Sequence, residues 1–500
     1  MHRNTYVVLA ALAAATALGT TATAGAATGG AATAPTPAAP TAATATAATA
    51  AAAAPQRGAD FNGDGYGDIA VWAPDTPGPR SANGGYLAPD AGGVSVVYGS
   101  PAGLRRDGAT LLTQDTPGIP GDLTANARWG NPAGRGELDG DGHTDLVVRT
   151  PEGYLVLWGS PQGITGASTL VAAPTALPAP GTPSTGVAVA DVTGDGTADI
   201  VAAGSTTRDG VRTYGVRLLA GPVSRTTGKP ASTTFTGTGL LHPTVVHAGD
   251  MTGDGVAEVV AATKDPAKPA GLVLRHTGAG LFPVGTATAG PGGAFGDLNK
   301  DGYPDFVGGD GGALNGSAPR SGGRISVTYG GPHGVGTTLP AREFSQDSPG
   351  VPGKDEPYDR FGQSLAVTDT DRDGYADIVI GAAGEDPSGQ PGAGSVTVLR
   401  GGPKGVTTTG ARVVTQGTAG VPSTSEATDL FGWSVLAADT DGDGAAEVLV
   451  GGPGEDTYSG RVWILRTGPA GLTGTGATSL YSRALGGPTA HLHFGHQLTG

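Results

Sequence analysis

The chain of 500 residues has 91 Gly, 39 Pro and no Cys, which excludes a disulfide framework, a thiolate metal site and a lipoprotein anchor. Its net charge of −15 argues against nucleic acid as a partner, because a phosphate backbone is held by Lys and Arg. Gly and Pro make about a quarter of the sequence, but much of the Gly recurs at fixed offsets and reads as turn chemistry in an all-β protein.

In chain order, residues 1–24 have the pattern of a secretory signal peptide: Arg3 at the start, an apolar stretch from Tyr6 to Leu18, and Ala22-Thr23-Ala24 as a cleavage site. Residues 25–56 are almost pure Ala, Thr, Gly and Pro, a composition that cannot bury a core and is expected to be a disordered linker. Nothing after residue 24 is long and apolar enough to span a bilayer, so no membrane span is expected in the mature chain.

From residue 57 onward one nine-residue pattern occurs seven times, beginning at Asp60, Glu137, Asp191, Asp250, Asp297, Asp369 and Asp439. Each copy has oxygen-bearing side chains at positions 1, 3, 5 and 9 and Gly at position 6, and each runs into a β-branched or apolar strand such as Ile378-Val379-Ile380. Ca²⁺ takes six to eight oxygens at roughly 2.3–2.6 Å, and a tight loop supplies them from alternate side chains plus one backbone carbonyl. The turns therefore read as calcium sites between strands, with position 7 giving the carbonyl. The candidate ligands are Asp60, Asn62, Asp64, Tyr66 and Asp68; Glu137, Asp139, Asp141, His143 and Asp145; Asp191, Thr193, Asp195, Thr197 and Asp199. The later turns offer Asp250, Thr252, Asp254, Val256 and Glu258; Asp297, Asn299, Asp301, Tyr303 and Asp305; Asp369, Asp371, Asp373, Tyr375 and Asp377; Asp439, Asp441, Asp443, Ala445 and Glu447. Of the 44 acids, 24 lie in these turns, so up to seven Ca²⁺ would bring the charge from −15 to about −1. The four-acid turns at Glu137, Asp369 and Asp439 should bind most tightly, and the Thr at position 3 of two others is a poorer ligand. Lys300 and Arg372, at position 4, are expected to face solvent and to weaken binding slightly.

Two further elements keep step with the turns. Gly99-Ser100-Pro101-Ala102-Gly103-Leu104, and its counterparts beginning at Gly159, Gly330 and Gly401, read as hairpin turns after an apolar strand. Phe361-Gly362 and Phe431-Gly432 stand eight residues before a turn, as does Trp129-Gly130. Each unit thus predicts four antiparallel strands, and seven such blades make a propeller. The first unit lacks its own first strand, whereas the chain ends Phe494-Gly495-His496-Gln497-Leu498-Thr499-Gly500. That last segment is expected to complete the first blade over a domain spanning 57–500, removing an exposed edge.

The order Phe-Gly, D-x-[DN]-x-D-G-x-x-D, strand, then a Gly-Ala-Pro-like segment such as Gly451-Gly452-Pro453 resembles the FG-GAP repeat of the integrin α-subunit propeller, here of a secreted bacterial type. The resemblance covers roughly residues 57–500 and weakens in the third to fifth units, where Phe-Gly is lost. It implies an extracellular, calcium-binding, seven-bladed β-propeller. No inserted von Willebrand-type domain, stalk or membrane span is visible, so the integrin adhesion mechanism is not carried over.

Catalytic patterns are scarce: there is no G-x-S-x-G, H-E-x-x-H or phosphate-binding loop. His491 and His493 are expected to share one face of the closing strand. Glu385-Asp386 and Glu455-Asp456 occupy equivalent places in two blades, and the five Trp read as core. The reading is a secreted, non-enzymatic, monomeric binding or cell-adhesion module with an extracellular protein or glycan ligand. The alternative is a secreted hydrolase or lyase acting on polysaccharide, which would need paired acids outside the turns converging on a cleft.

Overall fold

The structure, a computed structural model, describes residues 58–78, 86–150, 153–172, 186–239, 242–263, 270–312, 322–488 and 491–500. The expected signal peptide and linker, 1–24 and 25–56, lie outside the described residues. Seven four-stranded antiparallel sheets follow one another along the chain, numbered here I to VII by their turns. Blade VI shows the plan: Ser364–Thr368, Asp377–Ala382, Ser395–Arg400 and Thr407–Val414 pair in that order. The acidic turns join first to second strands and the Gly-Pro hairpins join third to fourth, so antiparallel pairing puts both at one end of each blade.

The second strands explain why the core lies between blades. In Ile378-Val379-Ile380 successive side chains point to opposite faces of the sheet. Ile378 and Ile380 pack with Val327 and Phe361 toward blade V, while Val379 packs with Val448 and Val450 of blade VII. Both faces are covered, so the strand reads as a continuous apolar run, each side chain contributing about 1.5–3 kcal/mol on burial.

Phe361, Phe431 and Phe494 are fully buried, and each forms a parallel bridge to a Gly (Gly323, Gly394, Gly460) in the preceding blade. The Gly that follows each Phe has a positive φ. At Gly362, φ is +87° and a Cβ would sit 2.6 Å from the Arg324 carbonyl, so no other residue fits there without a shift. Trp129-Gly130 does the same work in blade II: Trp129 donates its N–H to Ala91 O at 2.8 Å, as Phe431 does to Ala393 O at 2.9 Å.

Closure is as expected. Gln497–Thr499 pairs with Ile69–Ala73 in the register Trp72↔Gln497, Val71↔Leu498 and Ala70↔Thr499, and the first strands touch in sequence around the ring. The His expectation is corrected. The closing strand begins at Gln497, so His491 and His493 lie in the approach to it, with φ +53° and +52° instead of the extended values that put alternate residues on one face. His493 Nδ1 lies 2.7 Å from Asp75 Oδ2, and Arg128 Nε lies 3.1 Å from Oδ1 of the same carboxylate. Among the described residues no helix is long and apolar enough to cross a membrane.

Candidate metal sites in the blade turns

Each turn is built by its own carboxylates before any ion is considered. In blade VI, Asp369 Oδ1 accepts the Asp373 N–H at 3.2 Å and its Oδ2 the Gly374 N–H at 2.8 Å, while Asp373 Oδ1 accepts the Tyr375 N–H at 2.9 Å. The position-6 glycines all have φ between +84° and +90°, a region closed to most side chains. Position 4 is also left-handed throughout. It is Gly in five turns, yet Lys300 and Arg372 stand there at +59° and +62°. These two are not merely solvent-facing, as expected from sequence. Arg372 Nη2 reaches Asp443 Oδ2 of the next turn at 3.0 Å, and Lys300 Nζ lies 5.5 Å from the Tyr375 ring centre.

Position 9 is the anchor. Asp68, Asp145, Asp199, Glu258, Asp305, Asp377 and Glu447 are all buried. Asp305 accepts the Leu298 N–H at 3.0 Å on one oxygen and the Gly330 N–H at 2.9 Å on the other, tying the turn to the neighbouring hairpin. Asp68, Asp145, Asp199 and Asp377 make the same two bonds in their blades. Burial pushes the carboxyls of Asp68 and Asp145 up to about 7 and that of Asp305 up to about 8. Burial likewise raises those of Asp199, Glu258, Asp377 and Glu447.

In three turns the acids at positions 1, 3 and 9 converge, with one oxygen from each lying within 4.8 Å of the others: Glu137, Asp139 and Asp145; Asp369, Asp371 and Asp377; Asp439, Asp441 and Glu447. These are the three four-acid turns. Position 5 stands outside each triad. The donors are all hard oxygens, and in blade VI Asp371 Oδ1 is buried without a hydrogen-bond partner. Both features fit a hard divalent cation.

The other turns differ. Asn62 and Asn299 give their amide N–H to Asp64 and Asp301, at 3.0 and 2.9 Å. The two Thr turns part company: Thr193 Oγ1 is buried without a partner, whereas Thr252 Oγ1 donates to Glu258 Oε1 at 3.0 Å.

Four arginines, invisible as site residues in the sequence reading, sit on these carboxylates. Arg400 Nη1 bonds Asp371 and lies 3.1 Å from Asp377, and Arg466 Nη1 bonds Asp441 and lies 3.0 Å from Glu447. Arg275 pairs with Asp254 and Arg225 with Asp139 and Asp141. The signal that would have found three of them is positional. Arg275, Arg400 and Arg466 follow directly on the residue paired with the first apolar position of the second strand. At that place blades I, II and V have Tyr98, Trp158 and Tyr329. The tyrosines reach across a blade boundary: Tyr98 Oη accepts the Ile164 N–H at 2.9 Å and Tyr329 Oη the Val406 N–H at 3.0 Å.

Paired acids do occur outside the turns, at the opposite end of blades VI and VII. Gln346 donates to Glu385 beside Asp359, and Gln416 Nε2 donates to Glu455 Oε2 at 2.6 Å beside Asp429. Asp359, Asp429 and Glu455 are at most 4% exposed and Glu385 is half-buried, so the blade VII pair is closed off and the blade VI pair is partly so. Four of the Trp are core as expected. Trp433 is half-buried, with the Arg360 guanidinium 4.8 Å from its ring centre.

A seven-bladed ring with an acidic, glycine-pinned turn in every blade defines the class. Models of the FG-GAP repeat match residues 361–399 and 431–465, and the FG-GAP-like repeat matches 138–202, so the chain carries FG-GAP repeats. Among curated proteins, the phosphatidylinositol-glycan-specific phospholipase D of Rattus norvegicus is 32% identical over 160 residues, 32% of this chain and 18% of that protein. Integrin alpha pat-2 of Caenorhabditis briggsae is 29% identical over 252 residues, 46% of this chain and 19% of its own length. Integrin alpha-5 of Xenopus laevis is 39% identical over 111 residues, 21% of this chain and 10% of its own. The matches thus span about a fifth or less of each relative.

Proposed function

We propose that this chain is a secreted, calcium-loaded propeller that serves as a non-catalytic binding module at or outside the cell surface. The observation that carries the reading is the convergence of positions 1, 3 and 9 in the turns at Glu137, Asp369 and Asp439, on a fold with FG-GAP repeats. When bound, a divalent cation would neutralise the clustered carboxylates. The chain's own residues do the rest: positions 1 and 5 shape the loop, an Asp at position 9 ties it to the neighbouring hairpin, and position 7 offers its carbonyl. Export through residues 1–24 would place the protein where calcium is plentiful, and integrin α relatives support an extracellular role. Burial of Asp359, Asp429 and Glu455 counts against the alternative of a polysaccharide hydrolase or lyase working through these acids.

Extracellular calcium modules bind at about 10⁻⁴–10⁻³ M, and a site at ten times its Kd adds about 1.4 kcal/mol to folding. Three such turns would add about 4 kcal/mol, so in a domain of this size chelation should lower Tm by about 5 °C. Magnesium should rescue poorly because it prefers a smaller octahedral shell. A calorimetric melt with chelator, calcium or magnesium is the test, and a melting curve unmoved by chelator would overturn the reading.

A further inference from the structure

On the turn-bearing end of the ring, between blades VII and I, lies a groove of about 860 Å³. Its walls are the hairpin of blade I, Ser100 to Gly108, and the outer strand of blade VII, Thr473–Leu480; Leu104 and Ile464 also line it. In a chain of net charge −15 the groove is lined by Arg105, Arg106 and Arg466 against one acid, Asp107. Arg466 is engaged by Asp441 and Glu447, which leaves Arg105 and Arg106 as the donors on offer. Both are exposed and neither has an ion-pair partner among the described residues. The pair is particular to this hairpin. At the same offset blades II, V, VI and VII have Thr165-Gly166, Gly336-Thr337, Thr407-Thr408 and Thr473-Gly474.

Two adjacent guanidinium forks suit carboxylates better than any neutral group. An extended acidic peptide would also need the free edge of the outer strand, but at its C-terminal end, where that edge borders the groove, Arg106 Nη2 already donates to the Ser479 carbonyl at 3.1 Å. What remains is a ligand that carries its charge on side groups and presents hydroxyls along its length, opposite the exposed Thr478. None of the groove's lining residues is aromatic, so neutral sugars have no stacking platform.

We infer that this groove is the ligand site of the binding module proposed above, and that it takes a uronate-containing polysaccharide through Arg105 and Arg106. The inference rests on that reading and adds the ligand class to it.

The test is isothermal titration of the calcium-loaded full chain with oligomers of galacturonate, guluronate and hyaluronan. A chitin oligomer of equal length serves as the neutral control, and a poly-glutamate peptide as the acidic one. At least one uronate oligomer is expected to bind, more weakly as salt rises, while chitin does not. Arg105→Ala, which removes an exposed side chain and leaves the fold intact, should weaken binding several-fold. Arg105→Ala with Arg106→Ala should weaken it tenfold or more, with only the small fall in melting temperature that loss of the Arg106–Ser479 bond brings. The inference is overturned if no uronate binds, if the double variant binds as the parent does, or if poly-glutamate binds as tightly as the best uronate. Calcium-dependent melting without uronate binding would sink this inference alone, whereas calcium-independent melting would sink the module reading as well.

Discussion

Blades V and VI share a backbone plan, yet besides Asn299 against Asp371 in their turns they differ in the residue at the end of the third strand. In blade VI it is Arg400, whose guanidinium lies on Asp371 and Asp377; in blade V it is Tyr329, whose hydroxyl crosses to the Val406 N–H of blade VI. One chain therefore uses two answers to the same problem, clustered carboxylates beside a blade boundary. Where the answer is Arg, as in blades IV, VI and VII, the turn carries its own counter-charge. Where it is Tyr, as in blades I and V, the side chain joins blades and brings the turn no counter-charge of its own. The lesson is that repeats sharing one backbone plan need not be equal in metal dependence.

The largest effect should come from the anchor of the unguarded turn. Asp305→Ala leaves the Leu298 and Gly330 N–H groups buried and unpaired, at about 1–3 kcal/mol each, so urea unfolding should report a loss of about 2–5 kcal/mol. A loss below 1 kcal/mol would show that the hairpin is not tied to the turn through this carboxylate.

Next comes pH, read at the other end of blades VI and VII, where the guarded-versus-unguarded contrast recurs. There Arg461 lies 3.3 Å from Glu455, and Ser395 holds the equivalent strand position in blade VI. Burial, aided by neighbouring acids, pushes Asp359 and Asp429 up to about 7 from an ordinary 3.8. The fold thus keeps protons that the unfolded chain releases, so their contribution to stability falls as pH rises from about 4 through about 7. Melting temperatures across that window should slope downward, and Asp359→Asn with Asp429→Asn should flatten the slope. A slope unchanged in the double variant would assign it to other groups.

Arg400→Ala tests the counter-charge directly. Without calcium it should cost about 1–2 kcal/mol, because it strips a half-buried cation from two acids; with saturating calcium the loss should shrink toward zero. Terbium luminescence should show tighter binding in the variant. Equal losses in both conditions would break the comparison. The smallest effect belongs to Tyr329→Phe, which removes one hydrogen bond worth about 1 kcal/mol and should do so equally with and without calcium.

What was legible in the sequence was local. The turn pattern, its glycines and the apolar run behind it lie within a dozen residues, and Phe494-Gly495 announced the closing strand because it repeats Phe361-Gly362. What was not legible needed strand register or a neighbouring blade. Arg225 meets Asp139 across 86 residues, and Arg372 meets Asp443 across 71. His491 and His493 misled because period-2 reasoning was applied before the strand begins. The split between Thr193 and Thr252 depends on whether position 9 is Asp or the longer Glu, which only packing resolves.

The closing pair of strands also dictates a timetable. Ala70 and Thr499 are partners, yet more than four hundred residues separate them. At roughly 5–20 residues per second, a ribosome needs tens of seconds between the two. Throughout that interval the strand Ile69–Ala73 has one open edge, and no order of synthesis can cover it sooner. The ring therefore cannot shut until residues 497–499 have been made, which keeps the first blade unsealed through most of the domain's synthesis.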